Sequence, residues 1–196
     1  MDPKYAPRSH DASTAGRASP GVARYLGLIA PAGLVLDVAA GRGRHALLAA
    51  GAGHRVTAVD RAYSVEQPEW TAGTGVTTIP ADLETGVPPP WTGQRFDGVI
   101  VTNYLWRPLL GAIIDAVADD GVLIYETFAY GQEQFGRPSN PDFLLAPGEL
   151  IEAVRGRLIP LSFEHRRLEE PLRVVQRIMA VGARHQALAD PHRLPI

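Results

Sequence analysis

The sequence predicts a doubly wound α/β domain whose seven-stranded sheet is mostly parallel and closes at its C-terminal edge with an antiparallel strand pair. Three observations predict it. Short apolar runs alternate with helical segments from residue 21 onward; the first run, Leu34 to Ala39, is apolar on both faces; and it enters an Ala/Leu-rich helix through a glycine-rich turn. At 196 residues the chain suits one domain.

Residues 1–20 are polar, small and broken by Pro3, Pro7 and Pro20, and the expectation is a flexible N-terminal arm. The domain then spans 21–182, with 183–196 as a tail. Val22, Tyr25, Leu26 and Ile29 recur at helical spacing until Pro31 and Gly33 stop the helix. After the first strand and turn, a helix runs from about His45 to Ala50 and ends at Gly51 and Gly53. His54 to Asp60 reads as the second strand. Pro68 and Gly73 allow only a short or irregular crossover before a third strand, Val76 to Ile79. Phe96 to Thr102 is the fourth strand, Pro108 to Ala118 a helix with proline in its first turn, and Val122 to Phe128 the fifth strand. Residues 129–146 lack periodicity and form a loop long enough to imply a function. Pro147 opens a last helix to about Arg155, and Ile159 to His165 with Leu172 to Val181 make the closing pair.

Composition excludes several chemistries. The formal charge is −2, from 19 Lys plus Arg against 21 Asp plus Glu, which implies neither a nucleic-acid nor a membrane partner. With no cysteine there is no disulfide framework, thiolate nucleophile or Cys-ligated metal. No run reaches the 18 apolar residues of a membrane span, and the start lacks the apolar core of a signal peptide, so a cytoplasmic enzyme is expected. His10, His54, His165, His185 and His192 show no metal-ligand spacing and read as surface residues; no metal is expected.

A doubly wound sheet binds its ligand beyond the carboxyl ends of the strands, beside the first strand. Asp37 lies in that strand, Ala39, Gly41 and Gly43 in its turn, and Asp60 at the end of the second strand. Small turn residues let a backbone approach a ligand, and a strand-end carboxylate can accept two hydrogen bonds from a ribose diol. A dinucleotide site would want Gly-x-Gly-x-x-Gly and a phosphate at the helix N-terminus, but here an acidic residue stands inside the motif.

The pattern Asp37-x-Ala39-x-Gly41-x-Gly43 instead resembles motif I of class I S-adenosylmethionine-dependent methyltransferases, with Ala39 in place of the first glycine. The stretch Val35 to Leu48 looks like bacterial small-molecule enzymes related to the tellurite-resistance and thiopurine methyltransferases, whose fold is Rossmann-like. The resemblance covers residues 21–182. It implies S-adenosyl-L-methionine as cofactor, a ligand with an ammonium, a sulfonium and no phosphate. It places the ribose on Asp60, with Arg61 beside it, the adenine between Asp82 and Leu83, and the methyl group near Thr102, Asn103 and Tyr104. Arg44 is a candidate for the cofactor carboxylate.

For catalysis the candidates are Glu126 in the fifth strand, Tyr104, and His45, whose place in the first helical turn disfavours the imidazolium. Trp106, Tyr125, Phe128, Tyr130, Phe135 and Arg137 are candidate walls of the acceptor pocket. The expected reaction is in-line methyl transfer to a small, largely apolar acceptor. An Asn-Pro-Pro-Tyr segment, which enzymes that methylate exocyclic amines share, is absent at Asn103-Tyr104-Leu105-Trp106. Two alternatives stay open: an RNA methyltransferase using the basic segment 155–184, and a non-catalytic cofactor-binding or assembly protein.

Overall fold

A computed structural model describes residues 16–64 and 68–194; most of the expected N-terminal arm, residues 1–15, lies outside the described residues. One sheet has the order β3-β2-β1-β4-β5-β7-β6. Its strands are β1 Leu34–Val38, β2 Arg55–Asp60, β3 Val76–Pro80, β4 Phe96–Thr102, β5 Val117–Phe128, β6 Ile159–Glu169 and β7 Leu172–Val181. Strands β1 to β5 are parallel. Because β7 is antiparallel to both β5 and β6, β6 runs with the first five and β7 alone is reversed.

The helices are α1 Pro20–Tyr25, α2 Arg44–Gly51, α3 Leu110–Asp115 and α4 Glu149–Val154. They explain why β1 is apolar on both faces. On one face Val35, Ile100, Val122 and Met179 pack with Val22 of α1 and Ala46 and Ala49 of α2. On the other, Leu36, Val38, Val99 and Leu123 pack with Ile113 of α3 and Leu150 of α4. No helix among the described residues is long and apolar enough to cross a membrane.

Several stretches depart from the sequence reading. α3 ends at Asp115, short of Ala118, because Val117 already pairs with Phe96 and starts β5 ahead of a register shift near Gly98. β6 extends to Glu169, so the charged turn is a tight hairpin. The loop 129–146 contains two 3-10 turns, Gln132–Gln134 and Pro141–Phe143, and a bridge between Ala129 and Leu145. Polar side chains tie it down. Gln132 accepts from the Val174 N–H at 2.9 Å, and Arg107 donates to the Asp142 and Leu144 carbonyls at 2.7 and 2.9 Å. Finally, His54 and His185 are buried rather than on the surface. His185 accepts from the Ala187 N–H through Nδ1 and donates through Nε2 to the Leu28 carbonyl, at 3.2 and 3.0 Å.

Candidate active site

β1 and β4 are sheet neighbours, but α2 follows β1 on one face and α3 packs on the other, so a crevice opens above their carboxyl ends. A cleft of about 410 Å³ lies there. Of the residues expected at the cofactor, Ala39, Asp60, Arg61, Asp82, Leu83 and Asn103 line it; Tyr104 and Phe128 join them. Glu84, Thr127, Pro138 and Phe143 also line it and went unflagged in the sequence, although Pro138 and Phe143 belong to the loop whose length marked it out.

The glycine turn is left-handed at Ala39, Gly41 and Gly43, with φ of 53°, 57° and 73°. A Cβ on Gly41 would point into open space, so the turn leaves room for a ligand against its backbone. The Gly41 N–H donates to Asp60 Oδ2 and the Ala62 N–H to Oδ1, both at 2.8 Å. Asp60 is thereby fixed across the mouth of the turn, and each oxygen keeps acceptor capacity. Gly43 serves packing instead. A Cβ there would come within 2.4 Å of the Trp70 ring, which covers the turn from the β2–β3 crossover.

Asp37 is 1% exposed and lies beneath this turn. Neither oxygen has a hydrogen-bond partner of ordinary geometry; the Ala46 N–H and the Arg44 charge lend only weak support. Burial pushes its carboxyl up to about 7. The Tyr63 hydroxyl is likewise buried without a partner, and burial together with the charges of Asp37 and Asp60 raises its pKa. A buried orphan carboxylate is costly, which sets Asp37 apart from the hydrogen-bonded Asp60.

His45 is not brought to the cleft. Its Nε2 accepts from the Ser19 N–H at 3.0 Å, which places the proton on Nδ1, facing Thr102 Oγ1 at 3.1 Å. Burial, reinforced by Arg44, lowers its pKa to about 4, so the ring is neutral with no lone pair left for an acceptor. Thr102 is thereby turned to His45 rather than to the cleft. Glu126 departs from its expected role for a similar reason. It is 2% exposed, and Oε1 accepts from Arg173 at 3.1 Å while Oε2 accepts from Ser19 Oγ at 2.7 Å and from Arg177 Nε. Both oxygens are thus taken by two guanidiniums and a hydroxyl, and Glu126 does not line the cleft.

Tyr104 does reach the cleft wall. Its hydroxyl is buried without a partner, and burial plus the nearby Glu84 and Asp82 charges raise its pKa. Tyr125 lies in the core behind it, 1% exposed, donating to the Tyr104 carbonyl at 2.9 Å, and so does not wall an acceptor pocket. Trp106 is half-buried against the same core. Tyr130, Phe135 and Arg137 are exposed on the loop and do not line the cleft. Arg44, half-buried at the start of α2, is close enough to Asp37 to lower its pKa.

No family model matches the chain, and no curated protein matches its sequence. Solved structures do resemble it. TehB from Haemophilus influenzae superposes with a TM-score of 0.61 at 18% identity, covering 84% of this chain and 62% of that one. A TehB-like SAM-dependent methyltransferase from Corynebacterium glutamicum gives 0.57 at 17% identity, covering 87% and 91%. The Burkholderia thailandensis 1,6-didemethyltoxoflavin-N1-methyltransferase, solved with that compound and S-adenosylhomocysteine, gives 0.59 at 22%, covering 83% and 76%. The chain thus spans less than two thirds of the TehB length. At these identities the likeness is one of fold: the domain has the fold of S-adenosylmethionine-dependent methyltransferases.

Proposed function

We propose that the chain is an S-adenosylmethionine-dependent methyltransferase acting on a small molecule. One observation carries this reading: Asp60 is pinned across an open glycine turn, at the mouth of a cleft whose rim also bears Asp82 and Glu84. A rim with three carboxylates repels a dinucleotide's phosphates and suits a cationic nucleoside. The orphaned Tyr104 hydroxyl and Asp37 carboxylate fit a ligand that brings its own polar groups.

In this reading Asp60 accepts from the ribose hydroxyls, Asp82 and Leu83 flank the base, and Ala39 and Gly41 let the backbone approach. When bound, S-adenosylmethionine supplies an electrophilic methyl group on a sulfonium. The residues of the chain align the acceptor and exclude water: Tyr104 offers a hydroxyl for orientation, and Phe128 and Phe143 form an apolar wall. No side chain is needed as a base for an anionic acceptor. The volume is that of a small-molecule site, within about 300–1,000 Å³.

RNA is a weaker reading. Every arginine of the basic segment 155–184 already faces an acid: Arg155 with Glu152, Arg157 with Asp115, Arg166 with Glu164, Arg167 with Glu169, Arg173 and Arg177 with Glu126, and Arg184 with Asp119. Phosphate binding would have to displace these partners. Calorimetric titration tests the proposal: S-adenosylmethionine and S-adenosylhomocysteine should bind, and Asp60→Ala should weaken binding by about 1.5–3 kcal/mol as the diol loses a charged acceptor. Unchanged affinity in that variant removes the ribose assignment, and binding of NAD in place of S-adenosylmethionine removes the proposal.

A further inference from the structure

Charge divides the cleft along the sheet. Asp60 ends β2 and Arg61 follows it, while Asp82 and Glu84 come shortly after β3, so the charged lining residues, three acids against one arginine, all belong to these two strand ends. Beyond β1 in the strand order stand β4 and β5. They and the loop after β5 line the cleft with the polar Asn103, Tyr104 and Thr127 and the apolar Leu105, Phe128 and Phe143, none of them charged. Tyr104 stands at the border of the two halves, close enough to Glu84 and Asp82 to feel both.

Asn103 is the exposed polar group of the uncharged half. It turns the chain off β4 with a left-handed φ of 53°, a conformation that asparagine adopts more readily than most residues, and its N–H donates to the Glu126 carbonyl at 2.9 Å. The backbone is thus fixed beside β5, while no hydrogen bond within the described residues holds the side-chain amide. That amide offers a ligand a donor and an acceptor side by side. The neighbouring Tyr104 hydroxyl is buried and equally unpartnered.

With ribose and base in the charged half, in-line transfer brings the acceptor to the methyl from the side away from sulfur, and the uncharged half is the part of the cleft that remains for it. The excess of acids acts on every acceptor that enters. It repels a thiolate or phenolate, and it favours the protonated form of an alkyl amine, which then has no lone pair to give. A neutral thiol or hydroxyl needs a base, and this half supplies none: burial, with Glu84 and Asp82, keeps Tyr104 a neutral phenol, and neither His45 nor Glu126 lines the cleft. An aromatic ring nitrogen meets both conditions, being nucleophilic without losing a proton and, like imidazole at about 6.5, too weakly basic to hold one at neutral pH. Resting on the methyltransferase reading, we infer that the acceptor is a planar heteroaromatic molecule methylated on an unprotonated ring nitrogen, with the Asn103 amide bound to a second polar atom of the ring. The nitrogen lone pair forms the N–CH3 bond as the C–S bond breaks and its electron pair returns to sulfur. No proton moves, and the positive charge passes from the sulfonium to the methylated ring, a cation that the same acids favour.

The test measures methyl transfer from labelled S-adenosylmethionine to bicyclic molecules of one size: 1,6-naphthyridine and isoquinoline, against 1,2,3,4-tetrahydroisoquinoline, 2-naphthol and 2-naphthalenethiol. The inference expects kcat/KM for a heteroaromatic at least tenfold above the amine, phenol and thiol, with an acid limb in the pH profile that moves with the pKa of the ring nitrogen used. An amine, phenol or thiol as the best acceptor overturns it. So does an acid limb that stays in place as the probe changes, because that limb would belong to a base on the protein. Turnover of none of the five by a chain that binds S-adenosylmethionine overturns it as well. Asn103→Gly suits the left-handed backbone and so keeps the turn while removing the amide. It should lower kcat/KM for 1,6-naphthyridine tenfold, to the value for isoquinoline, which lacks the second nitrogen, and leave calorimetric affinity for S-adenosylhomocysteine within twofold. Unchanged transfer in Asn103→Gly would make Asn103 a turn residue, and tenfold loss of S-adenosylhomocysteine would assign its amide to the cofactor; either overturns its part in the inference. Failure of wild type to bind S-adenosylmethionine would instead strike the methyltransferase reading, and this inference with it.

Discussion

Asp37 makes the folded domain sensitive to pH in a way that can be calculated. Its carboxyl is fully buried and titrates near 7 in the folded chain, against 3.8 for the exposed group. A raised carboxyl pKa means that the folded state holds a proton that the unfolded chain has already released. Its contribution to stability is therefore fully present below pH 3.8 and is lost as pH rises through 7. Each pH unit well inside that window costs about 1.4 kcal/mol, so from pH 5 to pH 7, where the group is half titrated, Asp37 alone removes about 2 kcal/mol.

His45 acts in the opposite sense. Its folded pKa of about 4 lies below the ordinary 6.5, so protons favour the unfolded chain and stability grows as pH rises to 6.5. Between pH 5 and 6.5 this returns about 2 kcal/mol, and the two slopes nearly cancel in wild type. Asp37→Asn removes one of them. Urea unfolding of both proteins at pH 5 and pH 8, without ligand, should give a variant that gains about 3 kcal/mol relative to wild type over that interval. The comparison across pH removes whatever the unpaired amide costs at both values. Parallel pH dependences in the two proteins would refute the argument, because they would mean that Asp37 is solvated or hydrogen-bonded in the folded chain.

Two further outcomes concern His45 and Glu126. His45→Ala leaves the Ser19 N–H and the Thr102 hydroxyl without their buried partner, and should lower denaturant stability by about 1–3 kcal/mol for each group left unsatisfied. Glu126→Gln strands Arg173 and Arg177 and should cost about 3–5 kcal/mol in the same assay. Preserved stability with abolished turnover would return Glu126 to the chemistry.

The glycine turn and the carboxylate pinned across it were legible because their residues are contiguous: Asp37, Ala39, Gly41 and Gly43 fall in one strand and turn, and Asp60 closes the next strand. Their types and spacing carry the geometry without any long-range contact. The surroundings of Glu126 and His45 are built by tertiary partners that local pattern does not announce. Glu126 reads as a buried carboxylate, but the arginines that neutralise it stand 47 and 51 residues further on. Likewise His45 is held by Ser19, from a segment whose prolines and small residues suggest an arm. Strand parity would have corrected Tyr125: it shares a face with Leu123, both in the core under α3 and α4, whereas Phe128 is released at the strand end. Aromatic identity alone does not distinguish a wall of the cleft from its foundation.

Ala39 sits where a glycine would be easier, and the balance can be worked out. A left-handed backbone costs a side-chain-bearing residue about 1–2 kcal/mol, which Ala39→Gly would relieve. Against this, glycine adds about 0.5–1 kcal/mol of chain entropy to be lost on folding. The half-buried methyl, packed against the α3 face, contributes a further ~0.4 kcal/mol, about half of a fully buried group. The sum lies between slight destabilisation and a gain of about 1 kcal/mol. Stability therefore gives little reason for alanine at this position, and its methyl on the cleft wall does: it narrows the floor of the proposed cofactor site beside Asp60. Ala39→Gly should leave denaturant stability within about 1 kcal/mol of wild type while measurably weakening S-adenosylhomocysteine binding. A variant that loses several kcal/mol of stability, or binds as tightly as wild type, would show that the methyl is there for the core.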